Sequence, residues 1–121
     1  MTGYSTILTD KRKRVNQMAG NDMVLTLDEI SNIINPLVKP YPVKRVIIFG
    51  SYARGENNFR SDVDLIIDSD GQLSDFDYFG IIGDIVKAMP IKVDVFELDE
   101  IKKPSKMFDS IITEGRVIYE A

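Results

Sequence analysis

An α/β fold, a small mixed sheet flanked by helices, is predicted by three features of the 121-residue chain. Short apolar runs bounded by turn residues occur at 46–49 and 65–67, as buried strands do, and residues 91–98 carry Val93 and Val95 on one face of a third strand. Around them, apolar residues return every three or four positions, the period of a helix face. The first two strands also flank a Gly-Ser turn and a pair of aspartates, which leaves an acidic site open on one side of the sheet.

Taken in order, residues 1–22 are polar and include Lys11-Arg12-Lys13-Arg14. They read as an extension, flexible or loosely helical, before a domain over 23–121. A basic tetrad can touch nucleic acid or a partner, but more often it is a solvated arm. Thr26 followed by Glu29 is a capping-box pattern. Ile30, Ile33, Ile34, Leu37 and Val38 then form one apolar helix face. Pro36 implies either a bend in that helix or an end at Asn35. After the break Lys39-Pro40-Tyr41-Pro42, the first strand is expected over 43–49. The second begins at the paired aspartates, and Asp68 and Asp70 read as residues of the turn that follows it. Ser74 should cap a helix whose Phe76, Phe79, Ile82 and Val86 face the core. Met89-Pro90 ends it, and residues 91–98 are the third strand. Pro104 suits the first turn of a last helix, with Met107, Phe108, Ile111 and Ile112 inward and Gly115 as its cap. Val117-Ile118-Tyr119 closes the sheet.

Composition narrows the function. Hydrophobic residues at 44% and charged residues at 28% describe an ordinary globule. A net charge of −4 argues against a dedicated nucleic-acid binder, which is normally basic. With no cysteine there is no disulfide, thiolate nucleophile or cysteine zinc site. With no histidine, acid–base work falls to carboxylates, Lys, Tyr or water. The start lacks an apolar signal core, and no run approaches the roughly 20 residues of a membrane span, so a cytoplasmic protein is expected.

The chemistry lies in the stretch VIIFGSYARGENNFRSDVDL, residues 46–65. Gly50 has no side chain, so a phosphate can approach the backbone closely there. If Ser51-Tyr52-Ala53-Arg54 starts a helical turn, its free N–H groups and the Ser51 hydroxyl can hold an anion. Asp62 and Asp64 alternate onto one strand face about 7 Å apart, near enough to hold ions between them. Such hard oxygen ligands suit Mg²⁺, which completes its shell with water and substrate phosphate. A phosphate cradle beside an acidic metal pair implies phosphoryl or nucleotidyl transfer. In the third strand Asp94 stands between Val93 and Val95. It is a good third ligand if that strand lies beside the second, and otherwise an edge aspartate facing water. Glu97, Asp99 and Glu100 are its rivals.

Gly50-Ser51 followed ten residues later by Asp62-Val63-Asp64 resembles the signature of the DNA polymerase β-like nucleotidyltransferases. The fuller GSYARG…SDVDL resembles their small branch, the minimal nucleotidyltransferases, and the likeness runs to the closing EGRVIYE. The resemblance implies the nucleotidyltransferase fold, two Mg²⁺ ions (or Mn²⁺) on Asp62, Asp64 and Asp94, and ATP as substrate. It places the triphosphate on Gly50 and Ser51. Arg54 would either neutralise phosphate or pair with an acid to brace the loop. Relatives encoded beside HEPN-domain proteins act as antitoxins, some by transferring AMP to a toxin tyrosine. A HEPN-domain partner is therefore expected. Transfer to a small-molecule hydroxyl, or inhibition of the partner by binding alone, are the alternatives.

Overall fold

The computed structural model describes residues 24–58 and 60–121. The N-terminal extension and its basic tetrad lie outside them. Helix α1 (Leu27–Val38) opens on the expected capping box. Glu29 N–H donates to Thr26 Oγ1 at 3.0 Å, and Thr26 N–H donates to Glu29 Oε1 at 2.9 Å. Pro36 does not end the helix, which continues to Val38. The Lys39 N–H still reaches Asn35 O, so one missing donor near the last turn is tolerated.

Four strands, β1 (Arg45–Phe49), β2 (Val63–Asp68), β3 (Val93–Glu97) and β4 (Arg116–Glu120), form one sheet in the order β3-β2-β1-β4. β1 is antiparallel to β2 and β4, while β2 and β3 run parallel. The parallel pair is joined through helix α3 (Asp75–Ala88), the long crossover that parallel strands require. A single turn, α2 (Ser51–Arg54), follows β1, and α4 (Lys106–Glu114) precedes β4. Its cap is Ser105, whose hydroxyl accepts from Phe108 N–H at 3.0 Å, so Pro104 lies before the helix rather than in its first turn. Among the described residues no helix is long and apolar enough to cross a membrane.

Strand alternation gives the sheet two different faces. Val46, Ile48, Val63, Leu65, Ile67 and Val93 point to the main core, with Ile30 and Ile34 of α1 and Ile81 and Ile85 of α3. The other face is ruled by register into three cross-strand rows. Ile47, Ile66 and Phe96 stand abreast and are covered by Ile111 of α4. Beyond them on one side stand Arg45 and Asp68, and on the other Phe49, Asp64 and Asp94. The acidic row is therefore the end of this face that lies beyond the apolar row.

Besides Pro104, Ile112 of α4, expected inward, is 63% exposed, and two larger expectations are corrected here. Asp68 is not a turn residue. It closes β2 and is buried, and its Oδ2 accepts from Arg45 Nε at 2.7 Å while its Oδ1 accepts from Asp70 N–H. Asp68→Ala should cost about 1–3 kcal/mol, because it leaves a half-buried guanidinium without its partner. Urea denaturation checks this; a midpoint that does not move would show the pair to be idle.

The second correction concerns α3. Phe76, Phe79 and Val86, expected inside, are 86%, 69% and 54% exposed. The buried side is Ile81 and Ile85, in phase with buried Leu73 before the helix and Met89 after it. The helix carries two apolar stripes, and periodicity alone does not choose between them. The flanking Leu73 and Met89, anchored in the core, set the phase.

Candidate functional site

The site is built where β1 ends and β2 begins. Phe49 is paired with Asp64, and the chain then turns at Gly50 with φ 78° and ψ −151°. A β-carbon built on Gly50 would lie 2.7 Å from Asp64 Oδ2. The turn thus passes directly over the carboxylate, which only a glycine permits. Ala53 and Arg54 N–H groups return to Gly50 O at 3.1 Å, starting α2. Tyr52 and Ala53 are buried and anchor this single turn. Ser51, at its first position, is partly exposed. The N–H groups of Ser51 and Tyr52 belong to the first turn and have no intrahelical acceptor.

The parallel ladder sets Asp64 opposite Asp94. This places the third strand beside the second, as the reading of Asp94 as a ligand requires, although β3 is an edge strand and not a central one. Glu97 is paired instead with Ile67, at the far end of the ladder, and Asp99 and Glu100 lie in the 3₁₀ turn beyond it. Asp62 sits just before β2, and its Oδ2 is 3.6 Å from Lys92 Nζ, an exposed pair. The loop that leads to it is shaped by Asn58, whose side chain accepts from Arg60 N–H and whose N–H donates to Ser61 Oγ.

Electrostatics mark Asp64 as the centre of the group. Burial pushes its carboxyl above the usual range, and the charges of Asp94 and then Asp62 push it further, while Lys92 pulls it back. Three carboxylates so close to one another are mutually destabilising unless a cation or proton is shared. Among the described residues no three acidic side chains are preassembled around a metal position. The donor set nevertheless fits a hard divalent ion, being all carboxylate oxygen, with the exposed Lys92 as an opposing cation beside Asp62.

Arg54 is paired with two acids outside this row. Its Nε donates to Glu56 Oε1 at 2.8 Å and its Nη1 to Glu114 Oε1 at 3.4 Å. Those contacts tie α2 to the end of α4, the bracing geometry of the two considered for it. The sequence reading passed over Lys92 and Glu114. Lys92 carried a weak signal, a cation two residues before Asp94. Glu114 carried none, since it reaches Arg54 only through the fold.

Comparison with known proteins identifies the family and the fold. The family model described as "Polymerase beta, Nucleotidyltransferase" matches residues 31–121. The protein adenylyltransferase MntA of Aphanizomenon flos-aquae is 30% identical over 110 residues, covering 82% of this chain and 72% of that one. A Methanocaldococcus jannaschii protein provisionally named a protein adenylyltransferase is 35% identical over 85 residues, 65% of this chain and 85% of its own. Among solved structures, a toxin–antitoxin complex with AMP-PNP superposes with a TM-score of 0.63 at 19% identity, covering 75% of this chain and 73% of that one. A complex of a tri-AMPylated Shewanella oneidensis HEPN toxin with an MNT antitoxin gives 0.60 at 16% identity, over 79% and 74%. At those identities the structures speak for the fold.

Proposed function

The chain belongs to the polymerase β nucleotidyltransferase family, in its minimal, MntA-like branch, and from that membership we propose that it transfers AMP from ATP to a tyrosine hydroxyl of a HEPN-domain toxin. In this reading it is the antitoxin of a toxin–antitoxin pair. The observation that carries the reading is Asp64 set opposite Asp94, beneath the Gly50 turn and two residues from Asp62. The names of the relatives support the adenylyl group, and the neighbouring complexes support the partner.

Each residue then has a task. Asp62, Asp64 and Asp94 would hold two Mg²⁺ ions, with Mn²⁺ as a substitute. When bound, these supply charge neutralisation for the attacking and leaving oxygens. Ser51 and the backbone at Gly50 bind the β- and γ-phosphates. A phosphate there would compete with Glu56 and Glu114 for Arg54. Asp94, on the exposed edge strand, faces an incoming macromolecule and accepts the proton of its hydroxyl. No histidine exists in the chain to do so. The tyrosine oxygen bonds to the α-phosphorus, the α–β bridging P–O bond breaks, and pyrophosphate leaves. Asp94 lies on the edge strand β3, where a docked partner can present its hydroxyl. Orientation can supply about 7–11 kcal/mol of a barrier, and the docked partner would supply it by holding its tyrosine beside Asp94.

The metal can be tested on the isolated chain. A ligand at about 100 times its Kd stabilises by about 2.7 kcal/mol, which is several degrees in Tm for a domain of this size. Melting in Mg²⁺ or Mn²⁺ should exceed melting in EDTA by that amount, and identical curves would remove the metal site. The transfer is tested by co-purifying the chain with the product of its neighbouring gene and adding labelled ATP and Mg²⁺. Mass spectrometry should find AMP on a partner tyrosine. Label appearing only on an added small alcohol would make the acceptor a small molecule. Inhibition of the partner without label, retained by Asp62→Asn, would make the chain a binding antitoxin.

A further inference from the structure

Beside β3 lies an open cavity of about 430 Å³ that the acidic site does not use. It straddles the edge of the sheet. By strand alternation Val95 and Glu97 line it from the main-core face and Phe96 from the other. Tyr78 of α3 and Met107 of α4 complete its walls. Glu97 is three strand rises from Asp94, about 10 Å. A protein docked over Asp94 with a usual interface of about 800 Å² per partner therefore covers both.

Apart from Lys102, the side-chain groups that the cavity leaves free to bond are acceptors. Tyr78 Oη donates its hydrogen to Val95 O at 3.3 Å, so toward a ligand it can only accept. The Ser105 hydroxyl donates to Lys102 O and accepts from Phe108 N–H, and is spent within its own loop. Glu97 and Glu100 add two carboxylates. Among the described residues neither is in an ion pair, and the exposed Lys102 bridges neither of them. Burial holds the Glu97 carboxyl above its usual range, and the charges of Glu100, Asp99 and Asp75, all of one sign, raise it further. Burial, then Glu97 and Glu100, raise the Tyr78 hydroxyl, which keeps its proton at neutral pH.

The occupant that suits these walls donates without accepting, carries positive charge and has an apolar stem. A guanidinium side chain does all three, and its flat face stacks on aromatic rings such as Tyr78 and Phe96. We propose that this cavity takes an arginine side chain of the protein that docks over β3, anchoring that partner about 10 Å from Asp94. The anchor rests on the reading that a partner presents its hydroxyl to Asp94. A second copy of the chain suits it poorly, because a net charge of −4 repels like copies.

Acetyl-arginine amide, titrated into the full chain up to about 100 mM, is a probe that needs neither ATP nor partner. It should shift the amide resonances of Val95, Glu97 and Glu100 and saturate in the millimolar range. Acetyl-citrulline amide, of nearly the same shape without the charge, should not. Glu97→Gln combined with Glu100→Gln should weaken the probe at least about tenfold. Its Tm should hold or rise, since the change removes like charges that face one another. In the complex with the neighbouring gene's product, the same variant should weaken binding at least about tenfold. Weakened binding of a partner that never carries AMP would keep the anchor and sink only the transfer. Undiminished partner affinity would overturn the anchor and leave the transfer standing. A probe that does not saturate overturns it too, as does a citrulline analogue that binds equally well. Replacing Lys11, Arg12, Lys13 and Arg14 together by Gln should leave the probe's affinity as it was. A several-fold rise would assign the cavity to the chain's own arm and overturn the proposal. A dimer of the chain that the double variant disperses would give the cavity to a second copy and overturn it as well.

Discussion

Asp64→Asn should lower AMP transfer by on the order of 10³-fold or more, about 4 kcal/mol in the barrier, while the domain stays folded. The two halves of that expectation have one cause. The Asp64 carboxyl is half-withdrawn from water and faces the charges of Asp94 and Asp62. In the absence of a cation those charges oppose folding, so the neutral amide removes a cost and the metal-free variant should melt no lower than wild type. With Mg²⁺ present the order should reverse, because the wild type gains stability from the ion and the variant does not. Paired melting curves and a labelled-ATP assay measure both. A variant that unfolds in EDTA would mean that Asp64 is structural, and one that keeps full transfer would remove it from the site. Asp68→Ala is the useful contrast, since Asp68 lies at the other end of β2 against Arg45. It should lose stability and spare the chemistry of the folded fraction.

Gly50→Ala should be the most damaging change that touches no charge. The positive-φ, extended-ψ backbone of Gly50 is essentially restricted to glycine and costs another residue on the order of 1–3 kcal/mol, and here the new methyl would also stand 2.7 Å from Asp64 Oδ2. Either the turn lifts or the carboxylate swings aside, and a misplacement of about 1 Å can cost about 100-fold in rate. Gly55→Ala supplies the control. Gly55 has a similar φ of 73°, yet a β-carbon built there meets nothing within 4 Å. Gly55 is in the αL region (ψ 21°), so its variant should lose the smaller amount of backbone stability, and only Gly50→Ala should lose transfer per folded molecule. Equal transfer in the two, measured per folded molecule, would show that the closeness of Gly50 to Asp64 is without consequence.

What could be read along the chain was local or periodic. The capping box at Thr26 and Glu29, the Gly50-Ser51 turn, the strand of Leu65-Ile66-Ile67 and the cap at Ser74 each depend on residues a few positions apart. Their physics is complete within such a window. The pair Asp62 and Asp64 was legible for the same reason. Asp94 was half legible, because its type and its apolar neighbours pointed to a ligand, but its place opposite Asp64 is a fact of strand order. Only the folded sheet decided it.

Tertiary structure also decided the cases in which two local readings were equally good. Helix α3 offers a phenylalanine stripe and an isoleucine stripe, and the one that seats on the sheet is the one in phase with Leu73 and Met89. Asp68 looks like the start of a turn until β1 brings Arg45 beside it from 23 residues away. Arg54 could pair with an acid or a phosphate, and it is the fold that brings Glu114 to it from the far end of α4. A sequence states which side chains can lie on one face of one element. Which face meets which neighbour is a comparison of burial and charge across the whole fold, and residues distant in the chain enter that comparison only once the sheet has formed.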